Sequence, residues 1–301
     1  MSKIPLPERG QPLDVTYIYQ LAEAINDVAT EVSSTTSNYA TVDTTGSDKA
    51  NVKTSELRVV AGRVEIFNNT TVTPTTEKDF FYNLIFLIRN KTPFNALIKF
   101  IKSHFLKKDD LKSNFYNRTI FSDSDWFSSG ISIFNKFMQN EKGVVRNILE
   151  IGSYEGRSAI FFLNYFNASK ITCVDTWLGS HEHVRKMEEI EKNFDNNLKP
   201  YENKLIKHKT TSDNFFLTNK LLFDLIYIDG LHTYDQVKSD LENAYKFLRP
   251  KGHLLIDDYL WKFYPANKKN VINSANEFIQ KYNNNLEVIY ISSQVLLKKK
   301  L

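Results

Sequence analysis

The strongest constraint on the fold is an alternation of apolar strand patterns with amphipathic helix patterns from Val144 to the C-terminus. Three helices are predicted, at Ser158–Phe166, Met187–Asn197 and Gln236–Leu248, the last ended by Pro250 and Gly252. Seven strands are predicted: Val144–Ile151, Ile171–Val174, Lys204–Lys209, Leu225–Ile228, His253–Ile256, Val288–Ile291 and Gln294–Leu297. Such alternation predicts a doubly wound α/β sheet that binds its ligands at the carboxyl ends of the strands.

The N-terminal part of the chain follows a different pattern and predicts a small helical and β extension. Apolar residues repeat every seven positions within residues 14–32, which indicates either one amphipathic helix on a small core or a short coiled coil that forms a homo-oligomer. Leu57–Phe67 alternates like a strand or hairpin. Phe80–Lys108 is apolar and basic and predicts a helix. We therefore expect three regions: an extension over 1–75, a basic connector over 76–120 and the α/β domain over 121–301.

Composition excludes several classes of protein. The net charge of +4 over 301 residues is too small to argue for nucleic acid as a partner. The most apolar early run has about nine residues, far fewer than the roughly 20 that cross a bilayer. Cys173 is the only cysteine, so no intrachain disulfide can form, which favours a reducing compartment. We expect a cytoplasmic protein, in a host cell if a phage encodes it, or else a virion component.

A glycine turn follows the first strand, in the sequence LEIGSYEGRS. Gly152 and Gly156 let the backbone pass close to a ligand, and the following helix offers free N–H groups. Glu150, at the end of the strand, can hold a cationic amino group. The dinucleotide fingerprint GxGxxG is absent, which argues against a nicotinamide-dependent oxidoreductase.

An acidic residue also ends the second strand. Asp175 lies 19 residues after Gly156, the position at which a carboxylate binds the ribose hydroxyls of an adenosine ligand. A helix N-cap is the alternative role for this side chain. Trp177 belongs either to the core or to a stack on the adenine ring.

Three carboxylates follow the fourth and fifth strands of the domain. Asp229, Asp257 and Asp258 should converge, because these strands are expected to be neighbours in the sheet. Adjacent buried acids are costly unless they are paired or bind a metal, and oxygen ligands suit Mg²⁺, Ca²⁺ or Mn²⁺. The alternative is that one acid binds the ligand and the others pair with Lys or Arg.

These motifs together resemble the class I S-adenosylmethionine-dependent methyltransferases, and most closely the small-molecule and sugar O-methyltransferase branch. The matching stretches include LEIGSYEGRSAIF, VDTWLGSHEH, TSDNF, LIYIDGLHTYDQVKSDL and LRPKGHLLIDDYLW. The resemblance implies a Rossmann-like sheet of seven strands, mostly parallel with the last strand antiparallel. It also implies S-adenosylmethionine as the cofactor, bound by Glu150, Gly152, Ser153, Gly156, Ser158, Asp175, Trp177 and Ser212.

The same resemblance implies a chemistry for the acidic residues. Metal-dependent relatives hold a divalent cation such as Mg²⁺ on positions that match Asp229, Asp257 and Asp258. In some sugar-modifying relatives, an Asp two residues after the first metal ligand acts as the catalytic base. This chain has Leu231 at that position. We therefore expect His232, with Asp229, to be catalytic, with a structural histidine as the alternative. His181 and His183 belong either to the acceptor pocket or to a surface loop.

The expected reaction is O-methylation of a small molecule or sugar hydroxyl. The stretch PLPERGQPLDVTYIYQLAEAIND resembles the start of tailed-phage virion proteins, which makes a virion attachment protein with a methyltransferase-fold binding module the first alternative. A nucleic-acid methyltransferase is disfavoured, because no NPPY-type motif for a flipped base is present.

Overall fold

The computed structural model describes residues 55–60, 63–68, 75–106, 115–116, 119–122, 125–167, 169–179, 187–261 and 269–301. The predicted helix over 14–32 and the histidines His181 and His183 lie outside these ranges. The chain divides into two units, residues 1–86 with 101–106, and residues 87–100 with 107–301. No helix of the described ranges is long and apolar enough to cross a membrane.

The first unit contains a two-stranded antiparallel sheet over the stretch predicted to form a strand or a hairpin. Strand β1 (Ser55–Val60) pairs with β2 (Arg63–Asn68), with Val60 opposite Arg63. The predicted basic helix is two helices, α1 (Thr75–Arg89) and α2 (Phe94–His104), whose residues are divided between the two units. They are separated because Lys91 adopts a left-handed φ of 54° and Pro93 has no N–H to continue the first helix.

The second unit is built on the predicted seven-stranded sheet. Its strands are β3 (Asn147–Ile151), β4 (Lys170–Asp175), β5 (Leu205–Lys209), β6 (Phe223–Ile228), β7 (Leu248–Ile256), β8 (Leu286–Ile291) and β9 (Val295–Lys299). The spatial order is β5-β4-β3-β6-β7-β9-β8. Strands β3 to β7 pair in parallel, and β9 is antiparallel to both of its neighbours. The strand order reverses at β3, which places the switch point between β3 and β6.

Six α-helices from Ile131 onward accompany this sheet in the described residues. They are α3 (Ile131–Met138), α4 (Arg157–Tyr165), α5 (Met187–Leu198), α6 (Ser212–Thr218), α7 (Tyr234–Phe247) and α8 (Val271–Lys281). Helices α4, α5 and α7 match the predicted ones. The sequence interpretation missed α3 and α6 because they are short, and α8 because its apolar spacing at Ile272, Ala275 and Ile279 was overlooked.

Strand β7 begins earlier than the sequence predicted. The sequence pattern places Leu248 in the preceding helix, but it pairs with Phe223 of β6. The register then shifts, and Lys251 adopts a left-handed φ of 64°. Pro250 and Gly252 therefore bend the start of the strand, rather than only ending the helix.

An aromatic cluster fills the space between β3, β6 and the helices α3 and α4. Phe161 lies 5.6 Å from Phe134 and 5.3 Å from Phe127, ring centroid to centroid. Phe162 lies 5.4 Å from Tyr227 of β6 in an edge-to-face arrangement. These rings are almost completely buried. Such packing holds β3 and β6, the two strands at the switch point, against one rigid layer.

His253 of β7 makes the stability of the second unit sensitive to acid. Burial lowers the pKa of His253 from 6.5 to about 4, although Glu141 lies 3.9 Å from its Nε2 atom. Lys298 lies opposite His253 on β9, and its Nζ forms an ion pair with Oε1 of the same Glu141 at 3.1 Å. The folded protein therefore keeps His253 neutral where the unfolded chain would already protonate it.

We predict that the free energy of unfolding falls as the pH drops from 6.5 to about 4. The folded state binds fewer protons at His253 than the unfolded state in this window, and the loss from this group reaches about 3 kcal/mol at most. His253→Gln should flatten the dependence, measured by urea denaturation at several pH values. His208→Gln is the control. An unchanged slope in His253→Gln would contradict the assignment.

Candidate active site

Four neighbouring strands end level with one another and place the predicted site residues in one row. Val174, Ile151, Ile228 and Ile256 are aligned across β4, β3, β6 and β7. The residues that follow them, Asp175, Gly152, Asp229 and Asp257, therefore begin the same rim. Backbone N–H groups continue the ladder there, from Gly152 to Val174, from Asp229 to Ile151 and from Asp257 to Ile228, at 2.8–2.9 Å.

The turn after β3 depends on two glycines in the left-handed region. Gly152 has a φ of 84° and Gly156 a φ of 81°. A Cβ at Gly152 would overlap the carbonyl oxygen of Asp229, and a Cβ at Gly156 would lie 3.1 Å from Leu198. The glycines are therefore required by close approaches within the protein, in addition to any ligand.

Asp175 and Trp177 hold this turn in place. One carboxylate oxygen of Asp175 accepts hydrogen bonds from the N–H groups of Ser153 and Tyr154, each at 2.9 Å. The other accepts from the Trp177 N–H at 2.7 Å. The Trp177 indole is buried, packs 4.8 Å from Phe194 and donates to the Tyr154 carbonyl at 2.9 Å. Of the two roles considered for Trp177, the structure shows the core role, and the adenine stack stays a prediction.

Glu150 brings an unsatisfied carboxylate oxygen to the base of the turn. Its side chain is fully buried, and burial raises the pKa of Glu150 to about 7. The Cys173 thiol donates to one oxygen at 3.3 Å, whereas Oε1 has no hydrogen-bond partner within the described residues. The buried Oγ of Ser153 also lacks a partner there, and the buried Ser158 lies in the first turn of α4. Unsatisfied buried polar atoms of this kind suit a polar ligand group.

Ser212 lies at the first turn of α6 and is linked to α7. Its Oγ accepts from Gln236 Nε2 at 3.1 Å, and the same amide donates to Asp240 at 3.1 Å. Burial raises the pKa of Asp240 to about 6. The Asp240 carboxylate also lies next to the turn after β6. A Cβ built on Gly230 of this turn would be 3.8 Å from that carboxylate.

Asp229, His232 and Asp258 form a cluster on the acidic side of the rim. Nε2 of His232 lies 3.3 Å from an oxygen of Asp229 and 3.3 Å from an oxygen of Asp258. One ligand atom from each of the three residues lies within 4.8 Å of the others. Asp229 and Asp258 are each about one-third exposed, and the His232 ring lies 4.9 Å from that of Trp261. The cluster is therefore accessible from solvent.

The side chain of Asp257 does not point toward the metal site that the sequence predicted for it. Its carboxylate faces the interior and accepts from the Tyr227 hydroxyl, from Gln294 Nε2 at 2.8 Å and from the Asp258 N–H at 2.8 Å. As placed, Asp257 does not join the metal set predicted for it, and His232 stands with Asp229 and Asp258 instead. The physical reason is that three donors already satisfy its oxygens.

Tyr227 couples the two acids at the ends of β6 and β7. Its hydroxyl reaches Asp229 at 2.9 Å as well as Asp257, yet it has one hydrogen to donate. Burial and the neighbouring carboxylates raise the pKa of both Asp229 and Asp257. The sequence interpretation missed Tyr227 and Gln294. The role of Tyr227 could have been predicted from the sequence, because Tyr227 lies two residues before Asp229 and so faces the same side of the strand.

Comparison with known proteins assigns a family to the part of the chain that carries this site. Residues 149–259 match the family described as "Methyltransferase domain". No curated protein sequence matches the chain. The matched segment includes the glycine turn, Asp175 and the acidic cluster. This match over residues 149–259 confirms the methyltransferase class of enzyme predicted from the motifs.

Solved structures similar to this chain include two O-methyltransferases. TomG from Streptomyces achromogenes, involved in tomaymycin synthesis and solved with SAM, is 12% identical, with 56% of this chain and 79% of that chain covered and a TM-score of 0.43. An O-methyltransferase from Bacillus cereus, solved with SAH, is 13% identical, with 76% and 94% covered and a TM-score of 0.41.

We predict that Gly152→Ala destabilises the protein by roughly 3 kcal/mol or more, because alanine disfavours a positive φ and its Cβ would overlap backbone. Gly143→Ala is a matched control, since nothing lies within 4 Å of a Cβ there. Thermal denaturation compares the two variants with the wild type. Equal melting temperatures for Gly152→Ala and the wild type would mean that the turn is not constrained as described.

Proposed function

We propose that the chain transfers a methyl group from S-adenosylmethionine to a hydroxyl oxygen of a small molecule or sugar. The observation that carries the proposal is the pairing of two features at one rim of a methyltransferase domain. One is the glycine turn with the unsatisfied buried oxygens of Glu150 and Ser153. The other is the accessible cluster of Asp229, His232 and Asp258.

The glycine turn and its surroundings fit the cofactor. The buried carboxylate of Glu150 has an oxygen available for the cationic amino group, and Ser153 offers a hydroxyl beside it. The N-terminus of α4 presents N–H groups to the carboxylate end of the same ligand. In this proposal Asp175 and Ser212 bind the ribose and adenine ends. When bound, the cofactor supplies an electrophilic methyl group on its sulfonium.

His232 is the proposed base. With hydrogen on Nε2, its ring donates to Asp229 or Asp258, both 3.3 Å away, and Nδ1 is then the nitrogen that would take up the acceptor proton. The two carboxylates then stabilise the imidazolium that forms. Little else is required of the protein, since alignment of acceptor oxygen, methyl and sulfur supplies much of the acceleration.

The same cluster could instead bind a divalent cation. Asp229, Asp258 and His232 offer two oxygens and one nitrogen within 4.8 Å, which would accommodate such an ion. It would lower the pKa of the acceptor hydroxyl and orient it. However, Nε2 of His232 already lies between the two carboxylates, where a bridging cation would be held. We therefore favour the base, with the cation as its direct competitor.

Ligand-induced stabilisation tests the proposed function. S-adenosylmethionine and S-adenosylhomocysteine should each raise the melting temperature, because a ligand that binds only the folded state stabilises it. NAD, which needs the absent GxGxxG turn, should not. Stabilisation by NAD alone would contradict the proposal.

We predict that Asp175→Ala weakens S-adenosylhomocysteine binding by about 1–3 kcal/mol, the usual contribution of a hydrogen bond to a charged group. The loss is expected because this carboxylate holds the turn and faces the proposed ribose position. Isothermal titration calorimetry measures the affinity. Glu287→Ala, an exposed acid on β8, is the control. Wild-type affinity in Asp175→Ala would remove this residue from the site.

Metal binding separates the two uses of the cluster. If His232 is the base, the EDTA-treated protein should leave the electron paramagnetic resonance signal of added Mn²⁺ at micromolar concentration unchanged. Formation of a 1:1 complex that is lost in Asp258→Asn and His232→Gln would instead establish the cation. Asp257→Asn tests the sequence-based prediction that Asp257 is a metal ligand. This variant should weaken the Mn²⁺ complex only if the Asp257 side chain turns outward.

A further inference from the structure

We propose that Cys173 is a positioning residue for the cofactor, because its thiol binds one oxygen of Glu150 and leaves the other oxygen to meet the ammonium group of the ligand. This inference rests on the proposed methyl transfer and adds to it a residue that needs no contact with the ligand. The Cys173 thiol donates to Glu150 Oε2 at 3.3 Å, whereas Oε1 has no hydrogen-bond partner within the described residues. Both side chains are fully buried.

The pairing of the strands brings these two side chains together. Glu150 of β3 lies opposite Cys173 of β4 on one side and opposite Tyr227 of β6 on the other. Residues that are paired across parallel strands face the same side of the sheet. The Tyr227 hydroxyl bonds to Asp229 and Asp257. The donor that a neighbouring strand supplies to Glu150 is therefore the thiol of Cys173.

The thiol keeps its hydrogen throughout the neutral pH range. Burial and the negative charge of Glu150 raise the pKa of Cys173 well above its usual value of 9.0, and Asp175 acts in the same direction. Cys173 is therefore a hydrogen-bond donor to the carboxylate and does not compete with it for a proton. A donor to the ionised form of a carboxyl group favours that form, so the thiol helps Glu150 to stay ionised.

Glu150 titrates in a range where one donor can decide its charge. Burial raises the pKa of Glu150 to about 7, the hydroxyls of Ser153 and Ser158 and the Cys173 thiol lower it, and the Asp229 carboxylate raises it. Ser153 acts without completing a hydrogen bond, since its Oγ has no partner within the described residues. An ammonium group binds the ionised carboxyl best. We therefore expect the affinity for the cofactor to rise as the pH increases through about 7.

Calorimetry between about pH 5.5 and pH 8 tests this role with two ligands. S-adenosylhomocysteine carries the amino acid end, and 5′-methylthioadenosine lacks it. Cys173→Ala removes the donor, so the midpoint of the S-adenosylhomocysteine profile should move up by about 0.5–1 pH unit, and binding near pH 6 should weaken about 3- to 10-fold. The two proteins should approach each other toward pH 8. Their affinities for 5′-methylthioadenosine should be equal at each pH.

Two variants on β4 separate hydrogen bonding from packing. Cys173→Ser retains a donor and should keep the midpoint at or below that of the wild type. Ile171→Val removes one carbon from a buried residue on the same face of the strand and should leave the midpoint unchanged. A wild-type affinity that does not vary with pH, an unchanged midpoint in Cys173→Ala, or equal shifts in Cys173→Ala and Cys173→Ser would overturn the positioning role. An equal loss of 5′-methylthioadenosine binding in Cys173→Ala would do the same.

Infrared spectroscopy tests the contact in the wild type, so the proposal does not depend on the folding of a variant. Cys173 is the only cysteine of the chain, and its S–H stretching band is therefore unambiguous. The band should shift to higher frequency as Glu150 takes up a proton below about pH 7, and it should not respond to pH in Glu150→Gln. A wild-type band that does not respond to pH overturns the role of Cys173. Wild-type protein that binds neither ligand contradicts the methyl transfer itself.

Discussion

The approach of Gly152 to the carbonyl oxygen of Asp229 leaves no room for a side chain, and the rest of the site depends on it. This contact lies at the switch point between β3 and β6, between the proposed cofactor side of the rim and its proposed acceptor side. If the two turns were held apart, the oxygens of Glu150 and Ser153 would separate from Asp229 and His232. The proposed methyl transfer needs its reacting groups in line at short range, and this backbone contact keeps the two turns close together.

The rim concentrates acidic residues and gives each a different environment. Glu150 and Asp240 are buried with few charged neighbours, and burial raises the pKa of each. Asp175 has its oxygens satisfied by backbone N–H groups. Asp229 is part-exposed, beside His232. Environment therefore differs from one carboxyl of the rim to the next, as is general where one site contains several acids.

Much of this arrangement could be predicted from the sequence, because strand ends and register are set by the backbone. The seven strands, the glycine turn and the convergence of Asp229 with Asp258 all follow from periodicity and from parallel pairing. Side-chain direction does not follow from them. Trp177 packs into the core, and Asp257 faces the interior, because of partners on distant segments such as Phe194 and Gln294.

The inward direction of Asp257 explains why an antiparallel strand belongs to this site. Successive residues beyond a strand face opposite sides, so Asp257 and Asp258 cannot both face the rim in an extended chain. Asp258 adopts a left-handed φ of 53° and approaches His232, while Asp257 meets Gln294, the residue before β9. Gln294 reaches β7 only because β9 is inserted next to that strand. Through Asp257 and Tyr227, the last strand of the chain thus helps to position Asp229, the residue on which the proposed base rests.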